Sequence, residues 1–232
     1  MIFMQNYDEL EMKIEYTFKD KSHLETAFTH KSYANELMIK GRESYERYEF
    51  LGDAILEYLV SKFLFEEYKD MSEGDLTKLR ASLVCEFTLS KISRELRLGS
   101  YGYFSKGEKL TGGINRDSIL CDMFESLLGA IYLDGGIDEA DKYVKKFLLT
   151  DIEHKKLFYD SKTKLQEYAQ KISKTISYNL LDEDGPEHNK TFHVNVCLGD
   201  KIIAEGKGHS RKTAEQTAAF NALKMLQDDN KL

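Results

Sequence analysis

Five carboxylates stand at spacings that would let them share a cation. Glu46, Glu49 and Asp53 occur in ERYEFLGD, three and four residues apart, so a helix would align them on one ridge. Asp122 and Glu125, again three apart, repeat the device in ILCDMFESLLGAIYL, one of the most apolar stretches of the chain. Like charges stacked this way repel, so something positive should face them. Gly129 lies four residues beyond Glu125 and removes a side chain from the same face, letting another helix or a ligand approach. Two helices that each offer an acidic pair can form a cage of hard oxygens suited to Mg²⁺ or Mn²⁺. Acidic residues at helical spacing also make plain solvated faces, and Glu57 on the first ridge reads that way. Against that reading for the others, Tyr48, Phe50, Leu51, Ala54 and Ile55 surround the first ridge, and unpaired carboxylates near buried surface are costly. The six His are scattered, and no Ser-His-Asp or HExxH spacing offers a competing chemistry.

The elements that must hold these groups are mostly helical. Glu46 to Tyr68 is an unbroken helix-compatible stretch with apolar residues at 51, 55, 58, 59 and 63. Ser72 before EGDLTKLRASLV is a predicted N-cap, with Asp75 at the third helical position. A glycine-spaced loop is expected over Gly99–Gly113. A second apolar helix, Ser118–Leu133, should end at Gly135–Gly136, and a third runs from Asp138 to Leu149. Residues 1–150 therefore read as an all-α bundle. TDIEHKKLFYDS (150–161) lacks periodicity, which places a linker at 151–160. Beyond it the pattern changes to a helix (Lys162–Ile172), three strands (Ile176–Leu181, 192–198 and Lys201–Gly206) and a final helix (Arg211–Leu226). That helix presents Ala214, Ala218, Ala222 and Leu226 on one face. The α-β-β-β-α order over 161–228 is a small α+β module, so the chain is multidomain.

Composition excludes several classes. The 232 residues allow one or two domains, and 27 Tyr and Phe supply enough apolar bulk for real cores. No apolar run approaches the roughly 18 residues of a membrane span. MIFMQNYDEL opens on an apolar run of only four residues and has no basic segment, unlike a secretory signal. Cys85, Cys121 and Cys197 lack CxxC spacing and read as reduced cytoplasmic thiols. The net charge of −7 argues against nucleic acid until the chain is divided. Residues 1–160 carry 22 Lys and Arg against 30 Asp and Glu, whereas 161–228 carry 10 against 9. The acidity belongs to the larger part.

ERYEFLGDAIL (46–56) closely resembles the signature of bacterial ribonuclease III, and supporting motifs follow in family order: FTHKSY (28–33), EGDLTKLRASLV (73–84) and GGINRDSILCDMFESLLGA (112–130). From about residue 161 the chain resembles a double-stranded-RNA-binding domain. Tyr45 and Tyr48 stand where the family usually has Asn and Leu, and Cys121 and Ser126 where it favours Ala. None is a carboxylate, so these departures are expected to concern packing rather than chemistry. The resemblance implies that Glu49, Asp53, Asp122 and Glu125 are metal-binding carboxylates, with Asp53 and Glu125 catalytic and Glu125 the most critical. Glu46 and Glu73 would line the same valley. The activity implied is hydrolysis of double-stranded RNA to 5′-phosphate and 3′-hydroxyl ends, in rRNA and other RNA processing. Paired divalent cations roughly 4 Å apart can supply both a nucleophilic water and a stabilised leaving oxyanion. Mg²⁺ would be the cofactor, with Mn²⁺ able to substitute. The family acts as a homodimer whose two sites cut the two strands, and Phe50 matches the aromatic that plugs into the partner. Packing of Phe50 inside its own chain is the alternative.

In the small module, TKLQEYAQ, GPEHNKTF and GKGHSRKTAEQTAA resemble the three RNA-contacting regions of such domains. Ser210-Arg211-Lys212 opens a helix, where free amides and the dipole attract phosphate. His188 beside the single proline could reach a shallow minor groove, and Gln166 and Gln170 could hydrogen-bond 2′-hydroxyls. Lys190, Lys207 and Lys212 would add phosphate contacts. Two other functions compete with cleavage. A non-catalytic RNA-binding relative would tend to lose the carboxylates, and here all six positions are acidic. A metal-binding bundle acting on a small phosphorylated molecule leaves 161–228 unexplained.

Overall fold

The computed structural model describes residues 7–36, 43–185 and 190–228. The chain divides into two compact units between Thr150 and Asp151. In the first unit, the short helices α1 (Asp8–Ile14), α2 (Ser22–Ala27) and α3 (Lys31–Glu36) precede the 22-residue α4 (Glu46–Glu67). Then follow α5 (Glu73–Leu83), α6 (Glu86–Leu96), α7 (Lys106–Leu110), α8 (Asp117–Gly135) and α9 (Ile137–Phe147). Helix α8 is the axis of the unit. Its Leu120, Met123, Phe124, Leu127, Leu128 and Ile131 are buried, and α2, α4, α6 and α9 pack around it. The expected termini hold. Ser72 Oγ accepts the Asp75 amide at 3.2 Å and donates to its carboxylate at 2.7 Å. Gly136 ends α8 with φ of 83°, a left-handed angle that a side chain would strain.

The stretch Gly99–Gly113 is not a plain loop. It contains a 3₁₀ turn (Leu98–Tyr101) and α7, with a second 3₁₀ turn at Gly113–Asn115. Ser105 caps α7 by accepting the Glu108 amide at 3.1 Å. Tyr101 and Phe104 are buried, and the Tyr103 amide donates to the Phe28 carbonyl at 2.7 Å. Aromatic anchors, rather than helical periodicity, order this segment.

The second unit has the anticipated α-β-β-β-α order. Helix α10 (Ile152–Lys171) leads to β1 (Ile176–Asp184), β2 (Thr191–Leu198), β3 (Lys201–Gly208) and α11 (Arg211–Asp228). The sheet is antiparallel in the order β1-β2-β3, with Tyr178 opposite Val196 and Val196 opposite Ala204. Val196 packs on Leu165 of α10 and on Ala218, Ala222, Leu223 and Leu226 of α11. The apolar face read from the sequence for this last helix is buried throughout, Ala214 included. The linker expected at 151–160 is instead the first half of α10. Three contacts make it helical. Leu157 packs on the same core, the Phe158 ring lies tilted 5.5 Å from that of Phe220, and the buried Ser161 hydroxyl donates to the Gln216 carbonyl at 3.2 Å.

Candidate metal centre and RNA-binding surface

Helices α4 and α8 make the most extensive contact in the molecule, and two glycines permit it. A Cβ at Gly52 would overlap the Glu125 carbonyl, and one at Gly129 would overlap the Tyr48 carbonyl. Of the two approaches left open at Gly129, the one realised is another helix. This crossing sets the acidic ridge of α4 against the acidic pair of α8. Glu49, Asp122 and Glu125 each bring a carboxylate oxygen within 4.8 Å of the others, and all three are half-buried. Burial, followed by the charges of Asp122, Glu46 and Asp53, pushes Glu49 up to about 7. Burial, then Asp53, Asp122 and Glu49, pushes Glu125 up to about 8. Asp122 also rises through burial, against the hydrogen bond it receives from the Tyr45 hydroxyl at 3.0 Å.

The positive group that the ridge required is Lys31, at the start of α3. It pairs with Glu46 at 3.1 Å, which holds the Glu46 carboxyl below the usual range, and its charge also reaches Asp122 and Glu49. Asp53 is exposed and stands outside the close trio, yet its charge raises both Glu49 and Glu125, so it faces the same site. Glu73 is exposed in the first turn of α5, accepts the Thr77 hydroxyl at 3.0 Å and lies beside Tyr58 and Phe65. Within one chain it is not among the clustered carboxylates. Glu57 is not simply solvated, because it pairs with Arg80 at 2.8 Å. Of the neighbours thought to bury the ridge, Phe50 is 80% exposed and Ala54 is exposed too. The burial comes from α8 instead. Three hard anionic donors, crowded and partly shielded from water, fit Mg²⁺ or Mn²⁺ and offer no soft ligand set that would favour zinc.

On the second unit, Gln166 and Gln170 are exposed on α10, on the side away from the buried Leu165 and Ala169. Lys207 and Lys212 are exposed as well. Ser210 caps α11, its Oγ accepting the Thr213 amide at 3.1 Å. Arg211 pairs with Glu215 at 3.0 Å, and Glu215 also takes Lys162 at 2.7 Å. Lys190 pairs with Glu183 at 3.6 Å. His188 lies outside the described residues.

Residues 20–152 match the family model described as ribonuclease-III-like, and residues 161–226 match that of the double-stranded RNA binding motif. The chain belongs to the ribonuclease III family. Ribonuclease 3 of Caldanaerobacter subterraneus subsp. tengcongensis is 43% identical over 221 residues, spanning 94% of this chain and 96% of that protein. The protein of the same name from Bacillus velezensis is 42% identical over 227 residues, spanning 97% and 91%. Among solved structures, the nuclease domain of ribonuclease III from Campylobacter jejuni is 40% identical with a TM-score of 0.56. It covers 61% of this chain and 98% of that domain. As a member of that family, the protein is an endoribonuclease of double-stranded RNA, and its C-terminal unit is a double-stranded-RNA-binding domain. No described helix is long and apolar enough to cross a membrane.

The departures from the family signature are not confined to packing. Tyr48 meets His23 Nδ1 at 2.9 Å, and the Ser126 hydroxyl donates to the Ala27 carbonyl at 2.8 Å. Cys121 Sγ lies 3.9 Å from Glu125 Oε1, its thiol pushed up by burial and then by that carboxylate. Tyr45 touches a clustered carboxylate directly. Sequence reasoning missed that contact, because a tyrosine ahead of one helix gives no sign that it reaches a residue 77 positions away.

Proposed function

We propose that Glu49, Asp122 and Glu125, with Asp53 beside them, hold divalent cations, Mg²⁺ in the cell with Mn²⁺ able to substitute, and that this site cuts RNA duplexes to 5′-phosphate and 3′-hydroxyl ends. The observation that carries the reading is the trio of half-buried carboxylates within 4.8 Å of one another, two of them holding protons to about 7 and 8. Three crowded carboxyls with so little compensating charge are poised for a cation. Bound there, the cations would activate water and stabilise the leaving oxyanion. The chain's own residues fix the geometry: the α4–α8 crossing sets the spacing, and Lys31 neutralises Glu46 at the rim. Residues 1–150 would carry the cleavage and 161–228 the grip on duplex, with Gln166, Gln170, Lys207 and Lys212 as contacts. Glu46 and Glu73 would support the catalytic valley. Ser210 and Arg211 would present the α11 N-terminus to phosphate, with His188 and Lys190 contributing from the turn before β2. The setting is the cytoplasm, in keeping with three unpaired cysteines. Incubating a long RNA duplex with and without Mg²⁺, beside single-stranded RNA and duplex DNA, tests this. Cleavage of the RNA duplex alone, and only with the metal, is expected; uncut duplex under every condition would overturn the reading.

The raised carboxyls give the metal dependence a sign. A carboxyl raised in the fold stabilises the metal-free protein fully below its ordinary 4.5, and that advantage is lost as pH rises through about 7 for Glu49 and about 8 for Glu125. Metal binding must displace those protons, so affinity grows across the same window. Mg²⁺ should therefore raise the melting temperature more at about pH 8.5 than at about pH 6. An equal rise at both would contradict the assignment.

We further propose that the protein acts as a homodimer through α4. Phe50 is 80% exposed, which removes the alternative that it is core, and Tyr58 and Phe65 continue the same face of the helix at 57% and 75% exposure. Phe50→Ala should change the melting temperature little, since an exposed truncation alters stability by only about 0.5 kcal/mol. Sedimentation at low concentration should show it shifted toward monomer. An unchanged dimer there would remove Phe50 from the interface.

A further inference from the structure

We propose that Tyr45 is a positioning residue for the metal centre, its hydroxyl fixing the plane of the Asp122 carboxylate so that the trio is preformed before a cation arrives. This inference rests on the metal reading above and adds to it a residue outside the carboxylate set. Tyr45 sits immediately before α4 and is 3% exposed. It is fixed at both ends. Its amide donates to the Thr29 carbonyl at 2.9 Å, and its carbonyl accepts the Glu49 amide at 2.8 Å. Its ring lies 5.6 Å from that of His30, which is itself buried. A phenol clamped this way has one place for its hydroxyl, and that place is Asp122 Oδ2 at 3.0 Å. The same residue therefore touches both halves of the site: its backbone receives Glu49 on α4, and its side chain holds Asp122 on α8.

A carboxylate free to turn about its last bond presents its oxygens to a cation only part of the time. One hydrogen bond from a rigid donor removes that freedom, as donors behind metal ligands generally do. The bond is from a neutral hydroxyl to an anion, so it is among the stronger kinds. It leaves three of the four lone pairs of the carboxylate for other partners. Among the described residues, Glu49 and Glu125 have no comparable side-chain donor; the Cys121 thiol, at 3.9 Å from Glu125, is a weak one. Tyr45 thus acts on one ligand of the three.

Tyr45→Phe keeps the ring and its packing and removes only the hydroxyl. Binding of Mn²⁺ to the full-length chain without RNA, read from the free-ion signal in electron paramagnetic resonance, should weaken about tenfold, the lower end for losing a donor behind a ligand. The Mg²⁺ concentration for half-maximal duplex cleavage should rise in proportion. A purely structural role would instead lower the melting temperature and leave Mn²⁺ affinity alone. Asp122→Ala gives the second arm, because Tyr45→Phe should add nothing to it if the tyrosine acts through that carboxylate. Mn²⁺ affinity of Tyr45→Phe within twofold of the unaltered chain would overturn the proposal, and so would full additivity with Asp122→Ala. Failure of the unaltered chain to bind Mn²⁺ at all would overturn the metal reading itself, and this inference with it.

Discussion

Glu125→Gln will give a folded protein that binds RNA duplex and scarcely cuts it. The side chain is half-buried at the α4–α8 crossing, and burial together with Asp53, Asp122 and Glu49 pushes its carboxyl up to about 8. The amide has the same shape and keeps one acceptor oxygen, but it lacks the charge that attracts a divalent cation. Removing one like charge from the trio relieves repulsion, so the metal-free melting temperature should stay the same or rise above neutral pH. Duplex affinity, assigned above to the second unit, should barely change. Donors behind a metal ligand are worth roughly 10–100-fold, so losing a ligand should lower cleavage by at least about 100-fold. The loss should appear in the rate at saturating RNA, because the cation acts on the transition state rather than on RNA binding. Single-turnover cleavage at low millimolar Mg²⁺ checks this. A rate near that of the unaltered chain would reduce Glu125 to an ordinary helix carboxylate.

Gly129→Ala should be among the more damaging single methyl additions to the first unit. The added Cβ would overlap the Tyr48 carbonyl, and backbone on both sides of the contact leaves no flexible side chain to yield. Overpacking a core costs about 1–3 kcal/mol, and a backbone clash at the longest helix contact belongs at or above the upper end. For a unit of this size that corresponds to a fall of roughly 6–12 °C in melting temperature. Separating the helices also separates Glu49 from Asp122 and Glu125, so Mg²⁺ should stabilise the variant less than it stabilises the unaltered chain. Calorimetry with and without Mg²⁺ measures both effects. Unchanged melting and an unchanged Mg²⁺ response would mean that α4 and α8 do not meet at these glycines.

Much of this crossing was legible in the sequence. Carboxylates three and four apart define a ridge whatever surrounds them, and Gly129 on the same face as Glu125 announces a close approach. The α11 face of Ala214, Ala218, Ala222 and Leu226 was equally plain, because small residues at every fourth position have one use in a helix. What escaped depended on distant partners. Residues 151–160 carry too few apolar side chains to show a period, and they become helix because Leu157 and Phe158 find Leu165, Val196 and Phe220. The segment 99–113 looked like loop because its order comes from buried aromatics and the Ser105 cap. Lys31 was demanded as a charge but not named, since nothing in KSYANE says which way its side chain turns. Tyr45 departs from the family signature in a way that reads as packing, because its partner Asp122 is contributed by another helix.

The most direct test of the central claim is anomalous diffraction from crystals of the full chain grown or soaked in millimolar Mn²⁺. The proposed site predicts an anomalous difference peak enclosed by the carboxylates of Glu49, Asp122 and Glu125. The peak should vanish in Glu125→Gln crystals of the same form. A strong Mn²⁺ peak elsewhere, with the trio left without one, would contradict the assignment of the metal centre.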